Sequence, residues 1–550
     1  MISKSLLHYA TLVVTTTASI CPILGPVFPA PRDLSSSVAF QDALKGLQLK
    51  LDEAFMVGNT THGRVNPNDT FSIQVFSTES EEPLFDYHRR GPAVLGNRTV
   101  DGDSIYRIAS GSKLITVYLL LLEAGEVVLR DKVTEYLPQL AGVSIWDEMT
   151  VGALTGYLGD IVGDLYEVSS IPGGDLAAAF PGAFPPLTEN EISGCNYLTG
   201  CTSETFLQNL KGRPSAYLPN TTPAYSNTGF ATLGLIVEAV ANSTFEEVLR
   251  KRLVAPLRLT GTTISQPKDL TNAVIPGSES RSGWNYDLSD TPSAAEGGLF
   301  STPNDMSAIG RAILSSSLLP NATTRSWFKP TGLTSSLIGA VGHGWEIYRA
   351  SYPEHNRVID LYVKGGNLPG YGSNFILIPD FNVGFIMMMA GQRGSISTPV
   401  AALIIDEILP ALDEAARVQA DAALAGTYAA SNGLNSTVKI SSTPGIPGLT
   451  IEEWVSNSTD MHAIFVPPTE LFQMFPTNIV SEDGKQVSWR STSVFLPDTG
   501  SPLDACASWV AIDRPTYGIY GLDEFVFHLG DDGKAHAIEP RALKIVLERV

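Results

Sequence analysis

The run SGSKLITVYLLLLEAG, Ser110 to Gly125, limits what this chain can fold into more than any other stretch. At helical pitch it is apolar nearly all round, so the helix has no face for water and must lie inside a domain. Gly125 supplies its stop. A polar pair, Ser110 and Lys113, stands at its head. Residues three apart share a helix face, so the Lys113 amine reaches the Ser110 hydroxyl. The same Ser-x-x-Lys spacing recurs at Ser265/Lys268, Ser326/Lys329 and Ser436/Lys439. Pro267 interrupts the first, Pro330 follows the second, and Ser436 lies in a strand-like run. Only Ser110 heads a core helix.

Around this helix the pattern mixes periods. Residues 33–53 carry apolar positions at helical spacing. FSIQVFST and PLFDYHR read as strands joined by the acidic turn ESEE. The stretch of about 140–340 holds short helices between Gly/Pro/Ser-rich loops, including NTGFATLGLIVEAVANSTFEEVLRKRL as two helices and TPNDMSAIGRAILSS as another. Strands return in VIDLYVKGG, SNFILIPD and VGFIMMMAGQ, the last two joined at Pro379-Asp380-Phe381-Asn382. TPVAALIIDEILPALDEAARVQADAAL closes with a helix. Strands at both ends of a domain with helices between them predict one sheet built from N- and C-terminal segments. From about residue 424 onward GTYAAS, STVKIS, LTIEEWV, HAIFV, QVSWRS, SWVAI, EFVFHL and ALKIVLE read as strands of a separate all-β sandwich or small barrel.

The chain is 550 residues long with a formal net charge of −21. That charge repels nucleic acid and anionic membranes and disfavours both as partners. Lys4, a mildly apolar stretch from Leu6 to Leu24 and small residues at Ala18 and Ala30 read as a secretory signal over 1–24. No later segment gives a membrane span, since the apolar run at 385–390 is too short. Of four cysteines, Cys21 is expected to leave with the signal. Cys195 and Cys201 are spaced to close a loop by a disulfide, leaving Cys506 unpaired and buried. No histidine neighbours these cysteines at ligand spacing, so no metal or cofactor is expected. Sequons at Asn59, Asn68, Asn97, Asn220, Asn242, Asn321, Asn435 and Asn457 are candidate glycosylation sites in a secreted protein.

Two further elements carry chemistry. Tyr225-Ser226-Asn227 is the only Tyr-x-Asn in the chain. In an extended segment the Tyr225 phenol and the Asn227 amide face the same way, and a phenol beside a lysine ammonium loses its proton more easily. Lys364-Gly365-Gly366-Asn367 ends a strand-like run, where glycines permit close backbone approach and Lys364 adds a cation.

Ser-x-x-Lys, Tyr-x-Asn and Lys-x-Gly in this order resemble the serine β-lactamase and penicillin-binding protein family, in its class C and esterase branch. YRIASGSK, GEVVLRDKVTEYLPQL, PAYSNTGFATLGLIVEAV, EGGLFSTPNDM and KGGNLPGYGSNFILIPD look like its recurring blocks, over about residues 40–412. The resemblance implies an α+β fold: a β-lactamase/transpeptidase-like domain over 33–418, with an antiparallel sheet flanked by helices plus a helical subdomain. A smaller all-β accessory domain over 424–550 is similar to that of fungal β-lactamase-like proteins. It further implies Ser110 as acylated nucleophile, with Lys113 and Tyr225 as the proton-transfer pair. Asn227, Lys364, Gly366 and Asn367 would bind the substrate, with Lys364 lending electrostatic support and the N–H groups of Ser110 and Asn367 forming the oxyanion hole.

Two departures matter. Gly365 replaces the usual Thr or Ser, removing a hydroxyl that helps hold a substrate carboxylate. LTGYLGDI, Leu154 to Ile161, replaces a His-Thr-Ser-Gly block. Both favour an esterase or acyl-transferring relative over a β-lactamase. The expectation is a secreted serine hydrolase acting on a small-molecule ester, amide or thioester. The alternatives are a biosynthetic acyltransferase or cyclase with the same acyl-enzyme, and a catalytically silent ligand-binding relative. The chain has no Gly-x-Ser-x-Gly elbow and no His-Glu-x-x-His, and its eight histidines are scattered, with His343 read as structural.

Overall fold

The structure is a computed structural model that describes residues 19–550, apart from 97, 160, 162, 167–175, 181, 197–198, 278–282, 353–356, 392–397, 467–469 and 497–500. Asn97 and most of the expected signal therefore lie outside the described residues. The chain divides into two compact units. One comprises 30–350 with 359–415; the other comprises 1–29, 351–358 and 416–550.

In the first unit Ser37 accepts the Phe40 N–H and opens helix α1 (Val38–Val57), which buries Phe40, Leu44, Leu47 and Leu51 along one stripe. Strands β1 (Thr70–Ser77) and β2 (Phe85–Arg89) form the hairpin around the acidic turn. Helix α2 (Ser112–Ala124) is buried at every position from Ser112 to Leu121, as an all-round apolar helix must be, and Gly125 ends it at φ 69°. Helices α3 (Asn227–Ala241), α4 (Ala294–Gly297) and α5 (Pro303–Leu314) follow. Strands β3 (Pro330–Leu333), β4 (Gly339–Gly342), β5 (Glu346–Tyr352), β6 (Arg357–Leu368), β7 (Tyr371–Ile378) and β8 (Val383–Ala390) complete the sheet.

Among the described residues the strand order is β2-β1-β8-β7-β6-β5-β4-β3. Thr70 faces Ala390 and Ser77 faces Val383 in antiparallel register, so the last strand joins the first hairpin. This is the sheet that the strand pattern at both ends of the domain requires. Strands β7 and β8 turn at Asn382, which takes φ 52°.

Helix α6 (Thr398–Leu424) carries the chain into the second unit. There strands β9 (Gly426–Ala429), β10 (Thr437–Ser441), β11 (Leu449–Ser456), β12 (Thr459–Asp460), β13 (Phe472–Val480), β14 (Gln486–Ser493), β15 (Glu524–Leu529), β16 (Ala535–Pro540) and β17 (Leu547–Arg549) form one sheet. Its order is β10-β9-β17-β16-β15-β14-β13-β11-β12, and β10 also pairs with β11, closing it as a barrel. Two expected strands are helical. Asp460 accepts the Ala463 N–H and turns HAIFV into the helix Met461–Phe465, and SWVAI holds the 3₁₀ turn Ser508–Val510. Only the end of ALKIVLE is a strand, because Lys544 at φ 54° follows a 3₁₀ turn.

The N-terminal reading needs correction. Cys21 is fully buried and bonded to Cys506, which is exposed rather than buried and unpaired. Ser19 and Ile20 pair with Leu496 and Phe495, and Val27 and Phe28 are buried. A cut after residue 24 would remove a strand and a crosslink from the second unit. Cys195 and Cys201 are bonded, across the paired Asn196 and Gly200. Among the described residues no helix is long and apolar enough to cross a membrane.

Candidate active site

Ser110 sits on a 3₁₀ turn, Ala109–Gly111, that leads directly into α2. Ala109 before it takes φ 49°, a left-handed conformation that turns the chain sharply and costs a non-glycine residue energy. One helical turn on, the fully buried Lys113 donates to Ser110 Oγ at 3.1 Å and to the Glu296 carbonyl on α4 at 2.6 Å. The three rival serines bond elsewhere: Ser265 and Ser326 donate to Glu246 and Glu126, and Ser436 accepts the Asn457 N–H.

Tyr225 lies just before α3, whose N-cap is Ser226. The Lys113 and Lys364 ammonium groups each stand 5.2 Å from its ring centroid. Tyr225 is 47% exposed as a whole residue, and its ring stacks on Tyr157 at 5.6 Å. Burial of the phenol opposes ionisation. Lys113, Lys364 and a hydrogen bond with Ser110 outweigh that penalty against Glu346, and Tyr225 is held below the ordinary phenol value. Lys364, 1% exposed, donates to Glu346 Oε1 at 2.6 Å and to the Gly365 carbonyl at 2.7 Å. Its burial favours the neutral amine, but Glu346 and Tyr225 prevail and raise its pKa above the ordinary lysine value.

Gly366 pairs with Ser373 across the β6/β7 register. A Cβ there would stand 2.2 Å from the Ile108 carbonyl and 3.0 Å from the Gly111 nitrogen. The glycine lets β6 pass against the turn that carries Ser110, and Ser373 Oγ locks that contact by donating to the same carbonyl at 2.8 Å. Asn367, next along β6, is exposed. The structure thus brings Ser110, Lys113, Tyr225, Lys364 and Gly366 together. Asn227 is turned to a different partner: its amide donates to the exposed Asp164 at 2.7 Å. His343 is pushed down to about 4 by burial, with Glu126 opposing, and its Nδ1 bonds Thr155 Oγ1 at 2.6 Å, as a structural imidazole does.

Three neighbours of the centre were not evident in the sequence. Glu346 lies in GHGWEIY, but no spacing ties it to Lys364 eighteen residues and one strand crossing away. Tyr157 lies in LTGYLGDI, where no spacing points to Ser110. Glu296, 5% exposed, accepts a hydrogen bond from Tyr166. Its carboxyl is pushed up to about 8 by burial, with Lys113 opposing and Asp164 adding to the shift. The cavity of about 260 Å³ between α3 and the 289–295 segment is lined by Glu238, Glu246 and Asp290, and by none of the residues around Ser110.

A family model described as Beta-lactamase matches residues 78–408, and one described as Beta-lactamase-like-like, C-terminal domain matches 416–550. A beta-lactamase-like protein of Arthroderma benhamiae is 34% identical over 438 residues, covering 76% of this chain and 71% of its own. A probable hydrolase of Phoma sp. is 26% identical, covering 92% of this chain and 87% of its own. A probable hydrolase of Cochliobolus lunatus is 25% identical, covering 84% and 82%. Fold, motif order and family match agree: this chain belongs to the β-lactamase family, as a hydrolase-like member with a C-terminal β-barrel domain.

Proposed function

We propose that the protein is a secreted serine hydrolase that forms an acyl-enzyme at Ser110 and passes the acyl group of an ester or amide to water. The observation that carries this reading is the Lys113 amine 3.1 Å from Ser110 Oγ, with Tyr225 held between two ammonium groups. The Lys113/Tyr225 pair takes the Ser110 proton as Oγ attacks the carbonyl carbon. The N–H groups of Ser110 and Asn367 receive the negative charge that develops on the carbonyl oxygen. Lys364 supports the field that keeps the Tyr225 proton easy to move, and the same pair returns a proton to the departing alkoxide or amine. Water then attacks the acyl-enzyme, losing its proton to the pair and releasing acid and free serine.

Gly365 supports an ester over a β-lactam. It has no hydroxyl to hold a substrate carboxylate, and the Glu346 carboxylate lies 3.6 Å from where its Cβ would be. The two disulfides and the exposure of all seven described sequon asparagines support secretion. Product analysis of p-nitrophenyl acetate with and without an added alcohol tests the acceptor. Free acid in both cases supports hydrolysis; ester product and acceleration by the alcohol would move the assignment to acyl transfer. A mass drop on treatment with an N-glycosidase tests secretion, and an unchanged mass would contradict it.

A further inference from the structure

The turn from Thr155 to Leu158 offers four consecutive backbone carbonyls to segments around Ser110. Thr155 O accepts from Gly344 N at 2.8 Å, and Gly156 O from Thr331 Oγ1 at 3.1 Å. Tyr157 O accepts from Ala224 N, and Leu158 O from Asn220 N, both at 2.9 Å. At the centre of this hub Tyr157 takes φ 60°, a left-handed conformation that an aromatic residue seldom adopts. Glycine or asparagine would sit there at less cost. The side chain at this position is nonetheless large and only 4% exposed. Its ring stacks on Tyr225 at an interplanar angle of 20° and tilts against Phe230 at 5.3 Å.

We infer that Tyr157 is a positioning residue for Tyr225. Its carbonyl fixes the backbone one residue before Tyr225, and its ring fixes the plane of the Tyr225 phenol so that the hydroxyl stays on Ser110. Tyr225 is 47% exposed as a whole residue; Ser110 and Lys364 hold its hydroxyl, and the stack on Tyr157 sets the plane of its ring. The groups that face the Tyr225 phenol are Ser110 and Lys113 from the head of α2, Lys364 from β6, Glu346 from β5 and Tyr157 itself. A phenol released from Tyr157 drifts from the two ammonium groups, and its titration moves up.

The inference rests on the acyl-enzyme reading of Ser110, and the test separates the two. Tyr157→Asn keeps the backbone conformation and removes the ring, while Tyr157→Phe keeps the ring. On p-nitrophenyl acetate Tyr157→Phe is expected within about threefold of the parent. Tyr157→Asn is expected to lose roughly 30-fold in kcat with little change in KM, the scale of a misplaced catalytic group. Its kcat–pH profile should also shift to higher pH. In a Tyr225→Phe background the Tyr157→Asn change should cost less than about threefold, because its effect passes through the missing hydroxyl. An unmoved profile with full kcat, or an equal loss in both backgrounds, overturns the inference. Should Tyr157→Asn lose its near-UV circular dichroism, Tyr157→Gly, which adopts positive φ without strain and also removes the ring, takes its place in the same cycle with the same criteria. A fully active Ser110→Ala would instead bring down the acyl-enzyme reading and this inference with it, whereas a fully active Tyr225→Phe would bring down this inference alone.

Discussion

Replacing Glu296 with glutamine isolates a buried acid that sits beside the lysine at the centre of the site. The carboxyl is 5% exposed, accepts from Tyr166 and lies on the helix whose carbonyl holds Lys113. Its pKa is about 8 in the folded protein against 4.5 for an ordinary glutamate. The folded state therefore keeps a proton that the unfolded chain has released between those values. Stability falls as pH rises through this window and levels off above about 8. Glutamine copies the neutral acid, still accepts from Tyr166 and does not titrate. At about 1.4 kcal/mol per pH unit, the part of the window above pH 6 corresponds to roughly 2–3 kcal/mol. The Gln variant should therefore gain roughly that much relative to the parent between pH 6 and pH 9. Paired urea unfolding curves at the two pH values provide the assay, read by the buried tryptophans Trp146, Trp284 and Trp345. Other groups titrate alike in both proteins and cancel in the difference. A stability difference that is the same at pH 6 and pH 9 would refute the reasoning.

Lys113→Ala and Tyr225→Phe should each slow turnover of a p-nitrophenyl ester by about 100-fold or more, the scale of lost acid–base help; normal rates in both would leave Ser110 without partners. Gly366→Ala places a Cβ 2.2 Å from the Ile108 carbonyl, a backbone atom that cannot step aside. It should lower stability by roughly 1–3 kcal/mol, measured by urea unfolding, and abolish Ser110 labelling by a fluorophosphonate. Parent-like stability and labelling would contradict the close passage of β6 against the Ser110 turn.

Local pattern made much of this protein readable. An all-round apolar helix can only be buried, and residues Ser112 to Leu121 are. Ser110 and Lys113 meet because three residues along a helix is a fixed geometry, and Gly366 was visible as a backbone approach, though to the Ser110 turn instead of a ligand. Partners from distant segments were not readable. Cys21 looked like part of an expendable leader because nothing near residue 21 shows that Cys506, 485 positions away, crosslinks it. Glu346 and Tyr157 reach the site through sheet register and a turn, and Asn227 spends its amide on Asp164. In the barrel, β-branched and aromatic content gave the right architecture. A single N-cap at Asp460 was enough to make HAIFV a helix.

The central claim is an acyl-enzyme at Ser110, and intact mass tests it most directly. The parent, incubated with a fluorophosphonate or a slowly released p-nitrophenyl ester, should gain one adduct that peptide mapping places on Ser110. Ser110→Ala should gain none. Undiminished labelling of Ser110→Ala, or an adduct mapped to another residue, would contradict the account.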